Sequence, residues 1–308
     1  MAIAFVFPGQ GSQSVGMMAA YGEAKVVRAT FDEASSTLGE DLWQMVVEGP
    51  AETLAQTINT QPVMLTAGVA VWRLWLDKGG RPPAVMAGHS LGEYSALVAA
   101  GVLEFSDAVP LVRLRAAAMQ EAVPMGTGAM AAILGLDDDG IAAACVEAAR
   151  GDVVEPVNFN ARGQTVIAGH KGAVERAMVL CKGKGAKLVK ALPVSAPFHC
   201  SLIRPAADRL AARLADLKFA APRIPVVNNV DVALESDPVR IKDALVRQAY
   251  NPVRWVETIQ RMADMGVASV LECGPGKVLG GLTKRCADGV NGAALADAAA
   301  VEANLALE

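Results

Sequence analysis

Ala84-Val85-Met86-Ala87, then Gly88-His89-Ser90-Leu91-Gly92, then a helical pattern from Glu93 to Ala100: this stretch decides the fold class. A short apolar run stopped by a glycine turn reads as a buried strand, and a helix period follows it. Strand, tight turn and helix form the unit of an α/β fold built on a mainly parallel sheet. Residues 3–7, an apolar run ended by Pro8-Gly9, supply a second such strand. A mostly helical stretch separates the two and runs to about Lys78. Ser106 reads as the N-cap of the next helix, with Asp107 adding negative charge to its first turn. That helix ends before Pro124.

Residues 125–195 change character. Strands are expected at 129–136, 153–159, 165–168 and 187–194, and helices at 138–150 and 173–182. The order β-α-β-β-α-β is the ferredoxin-like signature. We therefore read 1–124 and 196–308 as an α/β hydrolase-like catalytic core and 125–195 as an inserted ferredoxin-like α+β subdomain. After Pro197 helices alternate with short strands at 226–229 and 269–272. From Ala293 onward the chain is alanine-rich and reads as a surface helix or frayed tail.

Composition narrows the function. The chain has 308 residues, 53 % hydrophobic and 19 % charged, enough apolar side chain for a sizeable core. Its 28 Lys and Arg against 32 Asp and Glu give a net charge of −4. No global basic field exists to draw nucleic acid, and 5 % aromatics offer few stacking platforms. Mean hydropathy is +0.32, yet no stretch reaches the roughly 18 consecutive apolar residues of a spanning helix. The best run, 67–76, is short and carries Arg73. Five cysteines, at 145, 181, 200, 273 and 286, include no C-x-x-C pair and read as buried reduced thiols. The first residues hold no basic segment, and the strand at 3–7 runs straight into Pro8-Gly9, so no signal peptide is expected. We expect a cytoplasmic monomer with no nucleic-acid partner, no membrane segment and no metal.

Gly88-x-Ser90-x-Gly92 between strand and helix fits a nucleophile elbow. The bare pattern also arises by chance as a glycine-bounded turn; its setting raises it above that. A serine hydroxyl needs a base, and the chain has three histidines. His89, next to Ser90 on a sharp turn, suits a packing role. His170 follows a strand of the insertion and reads as a surface residue. His199, in Ser195-Ala196-Pro197-Phe198-His199-Cys200-Ser201, stands where the chain leaves the insertion and is the candidate base. Cys200 lacks an oxyanion device and reads as structural.

Phe7-Pro8-Gly9-Gln10-Gly11-Ser12-Gln13 is not a P-loop, and Ser14 stands where a dinucleotide fingerprint needs its third glycine. A glycine-flanked loop at a strand end can aim the Gln10 amide at the space above Ser90, and with the Leu91 amide this makes an oxyanion hole. On the helix at 111–119, Leu111, Leu114, Arg115, Ala118 and Met119 share a face, while Arg113 points the other way. A buried arginine needs a partner: an internal carboxylate or an anionic ligand.

Taken in order, these motifs resemble the malonyl-CoA:acyl carrier protein transacylases of fatty-acid synthesis. The resemblance runs from Pro8 to Gly281. It rests on Pro-Gly-Gln-Gly-Ser-Gln at 8–13, Gly-His-Ser-Leu-Gly-Glu at 88–93, Arg115 before Met119-Gln120 and Gly-Thr-Gly-Ala-Met at 126–130. It continues through Asn158 and Asn160 before Gly163-Gln164, Ala-Pro-Phe-His at 196–199, Gln248 before Pro252-Val253-Arg254-Trp255, and Gly-Pro-Gly at 274–276. It implies Ser90 as nucleophile, His199 as base, the Gln10 and Leu91 amides as oxyanion hole and Arg115 as clamp for the malonyl carboxylate. It further implies a backbone carbonyl near Gln248, in place of an acidic residue, as the group that orients His199. Malonyl-CoA is then a substrate rather than a bound cofactor, and an acyl carrier protein the partner. Ala116 and Cys200 depart from the family's usual glycine and serine. A serine thioesterase or esterase, an acyltransferase for another acyl-CoA in polyketide synthesis, and a carrier-binding module without activity are the alternatives. Carriers of this family are typically acidic, which draws attention to Lys171, Arg176, Lys182, Lys184, Lys187 and Lys190 against Glu175 alone within 171–190. The acidic run Asp137 to Asp139 could equally offset that charge.

Overall fold

The computed structural model describes residues 2–22 and 24–307. Its strands are β1 (Ala2–Phe7), β2 (Val85–Gly88), β3 (Gly128–Leu134), β4 (Val154–Ala161), β5 (Gln164–His170), β6 (Leu188–Ala191), β7 (Val226–Val227), β8 (Val267–Glu272) and β9 (Asn291–Ala294). They form two sheets, ordered β7-β2-β1-β8-β9 and β4-β5-β3-β6.

Every pairing in the first sheet is parallel. A parallel sheet covered on both faces needs strands that are apolar throughout, and Ala4 to Phe7 and Val85 to Ala87 are completely buried. One face packs Phe5 edge-on against Trp72 and Trp75 of the helix Thr57–Asp77. The apolar run at 67–76 is thus the interior of a core helix, and Arg73 leaves it to pair with Glu33 at 2.6 Å. The other face packs Ala4, Val6, Val85 and Ala87 against Trp255, Ile259 and Met262. Among the described residues no helix is long and apolar enough to cross a membrane.

The second sheet is antiparallel throughout. Its first and third strands, β3 and β5, sit at the centre, and the helices Asp138–Ala149 and Lys171–Gly183 bury Ile141, Cys145, Val174 and Cys181 against it. This is the ferredoxin-like arrangement expected from the β-α-β-β-α-β order. The sheets are tied together at Val253, whose N–H donates to Val157 O at 2.9 Å and whose carbonyl accepts from Phe159 N at 3.0 Å.

Three local expectations need correction. The helix expected to be capped by Ser106 spans Phe105–Glu121. Glu104 occupies its cap position with no side-chain hydrogen bond, and Ser106 lies in the first turn. Phe105 is buried, and anchoring it starts the helix earlier than the polar cap signal indicates. The strand expected at 226–229 is only Val226–Val227, because Asn229 turns its polar groups toward the elbow. The chain from Ala293 is not simply a surface helix or tail. Residues Asn291–Ala294 form β9 along β8, Leu295 is buried, and the helix Ala298–Asn304 follows, capped by Asp297 and burying Val301. Alanine and glycine lack the branched side chains that advertise a strand.

Candidate active site

In an open α/β sheet, ligands bind beyond the carboxyl ends of the strands. The loop after β1 carries Gln10 and the turn after β2 carries Ser90. Both line a cleft of about 530 Å³ that also takes in Leu91, Arg115, Asn160 and His199.

The elbow itself is strained. Ser90 has φ of 52°, a left-handed conformation that costs a non-glycine residue about 1–3 kcal/mol. Its backbone is held at both ends: Ser90 N donates to Asn229 Oδ1 at 2.7 Å, and Ser90 O accepts from Gln248 Nε2 at 3.0 Å. The glycines on either side have no room for a side chain. A Cβ on Gly88 would lie 1.8 Å from Gly92 C, and one on Gly92 would lie 2.0 Å from Phe7 O. Gly92→Ala is therefore expected to cost about 3 kcal/mol through forced backbone movement. A melting temperature within a degree of the parent would contradict this.

Ser90 Oγ stands 2.6 Å from His199 Nε2. His199 Nδ1 lies 2.9 Å from the Gln248 carbonyl. A carbonyl can only accept, so Nδ1 carries the proton and Nε2 presents its lone pair to the serine hydroxyl. His199 also has a left-handed backbone, with φ of 65°. Burial, the Arg115 charge and His89 pull its pKa down to about 3, so at neutral pH it is the uncharged base.

Arg115 is 2 % exposed and its guanidinium lies over the Tyr94 ring. Nη1 donates to Gln61 Oε1 at 2.8 Å; Nη2 donates to Gln248 Oε1 at 3.0 Å and to Ser90 Oγ at 3.1 Å. Nε has no partner among the described residues, and no carboxylate there lies within ion-pair distance. Of the two partners expected for this arginine, an internal carboxylate is thus not in contact with it. Arg113, on the opposite side of the helix, grips Glu40 with both Nη atoms at 2.9 and 2.6 Å.

The Gln10 and Leu91 backbone N–H groups make no hydrogen bond among the described residues, and both residues border the cleft. The Gln10 side chain donates to Thr57 Oγ1 at 3.1 Å. His89 is partly buried, with Nε2 2.8 Å from Asn160 Oδ1 and its ring against Trp255, in keeping with a packing role. His170 is partly exposed and accepts from Val153 N through Nδ1. Cys200 is buried with Sγ on Pro197 O, and all five cysteines are free and buried.

Three participants were not singled out as site residues in the sequence: Asn229, Gln61 and Glu93. Each is a polar residue in an apolar setting, which is a signal without a role until the partner is known. Asn229 Nδ2 donates to Gly88 O at 2.7 Å while its Oδ1 holds Ser90 N. Glu93, 2 % exposed, accepts from Asn229 N and Gln248 Nε2, both at 2.9 Å.

A family model for the acyl transferase domain matches residues 4–301. The malonyl CoA-acyl carrier protein transacylase of Salmonella typhimurium is 60 % identical over 303 residues, 98 % of each chain. The chain belongs to the malonyl CoA-acyl carrier protein transacylase family. Its namesake from Escherichia coli is also 60 % identical, over 99 % of both chains. Among solved structures, the chain is similar to the acyl-carrier-protein S-malonyltransferase of Burkholderia pseudomallei. The TM-score is 0.98 at 59 % identity, over 99 % of this chain and 100 % of that one. It is also similar to a malonyl-transacylase solved in complex with its type II polyketide acyl-carrier protein, with TM-score 0.99 and 55 % identity over the whole of both chains.

Proposed function

We propose that the chain transfers a malonyl group from malonyl-CoA to the phosphopantetheine thiol of an acyl carrier protein in fatty-acid synthesis, through a malonyl ester on Ser90. The observation that carries this reading is Arg115: a buried guanidinium beside Ser90 Oγ, with no carboxylate in contact among the described residues. An acyl group bearing its own carboxylate completes that site, and an uncharged acyl group does not.

In this reading 1–124 and 196–308 form the catalytic core and 125–195 the inserted subdomain. His199 Nε2 takes the Ser90 proton as Oγ attacks the thioester carbonyl. The negative charge that develops on the carbonyl oxygen meets the Gln10 and Leu91 N–H groups. Collapse of the tetrahedral adduct expels coenzyme A as a thiol, with the proton returned from His199. The carrier's thiol then repeats the sequence on the ester. Gln248 orients His199 through its carbonyl. A thiolate leaves readily, so an imidazole steered by a carbonyl suffices where an amide hydrolase uses a carboxylate.

Mass spectrometry after mixing the chain with malonyl-CoA tests the reading. A stable malonyl adduct on Ser90 is expected. Free malonate with rapid turnover would make it a hydrolase, and no adduct with no turnover a carrier-binding module.

The carrier contact gives a separate prediction. Lys182, Lys184, Lys187 and Lys190 are exposed and lead into Leu192 and Val194 of the cleft wall. The acidic side chains Asp137 and Asp138 are engaged locally, Asp137 capping its own helix and Asp138 accepting from Thr165. Lys184 lies 3.7 Å from Glu147, an exposed pairing of little energetic weight. Reversing the charge of Lys182, Lys184 and Lys187 is expected to slow transfer to an acidic carrier about tenfold and to leave self-acylation unchanged. The loss should shrink with salt, since exposed charges are screened over about 8 Å at physiological ionic strength. Equal loss in both half-reactions would refute a docking role.

A further inference from the structure

Glu93 sits behind the site, two positions into the helix that follows the elbow, and none of the chemistry above uses it. One of its oxygens, Oε2, accepts from both Asn229 N and Gln248 Nε2. Those two residues hold nearly everything in front of it. Asn229 binds Gly88 O and Ser90 N; Gln248 binds Ser90 O, the His199 ring and Arg115.

The carboxylate also settles which way the Gln248 amide faces. A carboxylate only accepts, so the Gln248 NH2 must face Glu93 and Ser90 O, and its Oε1 must face Arg115. An amide turned over would set its NH2 against the guanidinium. Glu93, together with the Ser90 carbonyl, thus places an acceptor in front of Arg115 without touching it. Its charge also acts on Arg115 through that amide, since both groups are buried where dielectric screening is weak.

We infer that Glu93 is a positioning residue with a second effect on specificity: it aims Arg115 through Gln248 and, as a buried anion, competes with the acyl carboxylate for the arginine's charge. The empty site is thereby preorganised and electrically balanced. Malonyl binding is held weaker than an unopposed arginine would make it, which favours release of the group to the carrier. The inference rests on the malonyl reading of the site.

The test compares Glu93→Gln and Glu93→Asp with the parent, measuring kcat and KM for acylation of Ser90 by malonyl-CoA and by acetyl-CoA. It is run at pH 8, above the value of about 7 to which burial pushes this carboxyl, so that the parent carries the charge. Glutamine keeps an acceptor oxygen for Asn229 and Gln248 but removes the negative charge. The malonyl-to-acetyl ratio of kcat/KM is expected to rise about tenfold, through a lower malonyl KM. Aspartate keeps the charge but draws the acceptor back by one methylene. Both substrates are expected to slow together, with the ratio unchanged. A Glu93→Gln ratio equal to the parent's, or a Glu93→Asp ratio that shifts, would overturn the inference. If glutamine prevents folding, the aspartate comparison still tests the inference, because a shifted malonyl-to-acetyl ratio in that variant would overturn it. Failure of the parent to form a malonyl ester would instead sink the malonyl reading itself.

Discussion

Replacing Arg115 by alanine is expected to cut malonyl transfer by about thirty- to several-thousand-fold while acetyl transfer holds or rises. The lower bound corresponds to about 2 kcal/mol and the upper to about 5 kcal/mol, the range for losing one partner of a buried charge pair. Three hydrogen bonds from Arg115 are spent on Gln61, Gln248 and Ser90. A guanidinium has five N–H groups, so donors remain for a carboxylate, including the partnerless Nε. Two parallel charge-assisted bonds are roughly twice as strong as neutral ones. Acetyl offers nothing to those donors, and the parent enzyme pays a desolvation penalty when it binds. Alanine removes both the attraction and the penalty. It also removes one of the charges that depress the His199 pKa, which makes the base stronger for either substrate. Arg113→Ala, which breaks a pairing with Glu40 on the other side of the helix, is expected to leave the malonyl preference intact. The check is kcat/KM for malonyl-CoA and acetyl-CoA in all three proteins. Equal slowing of both substrates by Arg115→Ala would make the residue structural.

Ser90→Ala is expected to abolish the acyl-enzyme and to lower transfer at least about ten-thousand-fold, because no other group can carry the ester. The fold should survive. The hydroxyl contributes hydrogen bonds to His199 and Arg115, while the elbow is fixed by the Ser90 backbone on Asn229 and Gln248. A melting temperature close to the parent's, together with lost turnover, is the expected pair of results. Normal turnover would contradict the nucleophile assignment.

The parts legible in sequence were those with a short-range cause. β1 and β2 are apolar because a parallel sheet is covered on both sides, and each ends at a glycine turn. The β-α-β-β-α-β order was readable because each element of that segment carries its own periodicity and turn residues. Arg115 stood out because it interrupts an apolar helical face. Where the cause is tertiary, the pattern failed. β9 is Asn-Gly-Ala-Ala, with no branched or aromatic residue, and only its neighbour β8 makes it a strand. Phe105 starts its helix because the core takes it, not because a cap directs it. Asn229 and Glu93 stand 136 residues apart, and nothing local couples them. The Gln248 carbonyl meets His199 because the end of the helix Pro238–Gln248 and a turn from a distant part of the chain converge on the elbow. The resemblance supplied Gln248; the residues alone did not.

The central claim is that malonyl passes through Ser90 to a carrier thiol and not to water. A single-turnover chase tests it most directly. The chain is loaded with malonyl-CoA, freed of excess thioester and divided between buffer and buffer containing phosphopantetheine-bearing carrier protein, and both are followed by intact-mass and peptide mass spectrometry. The account predicts a malonyl mass on the peptide containing Ser90 that persists in buffer and moves to the carrier within the time of a catalytic turnover. Loss of that mass to free malonate at the same rate in both tubes, or a malonyl mass on any other residue, would contradict it.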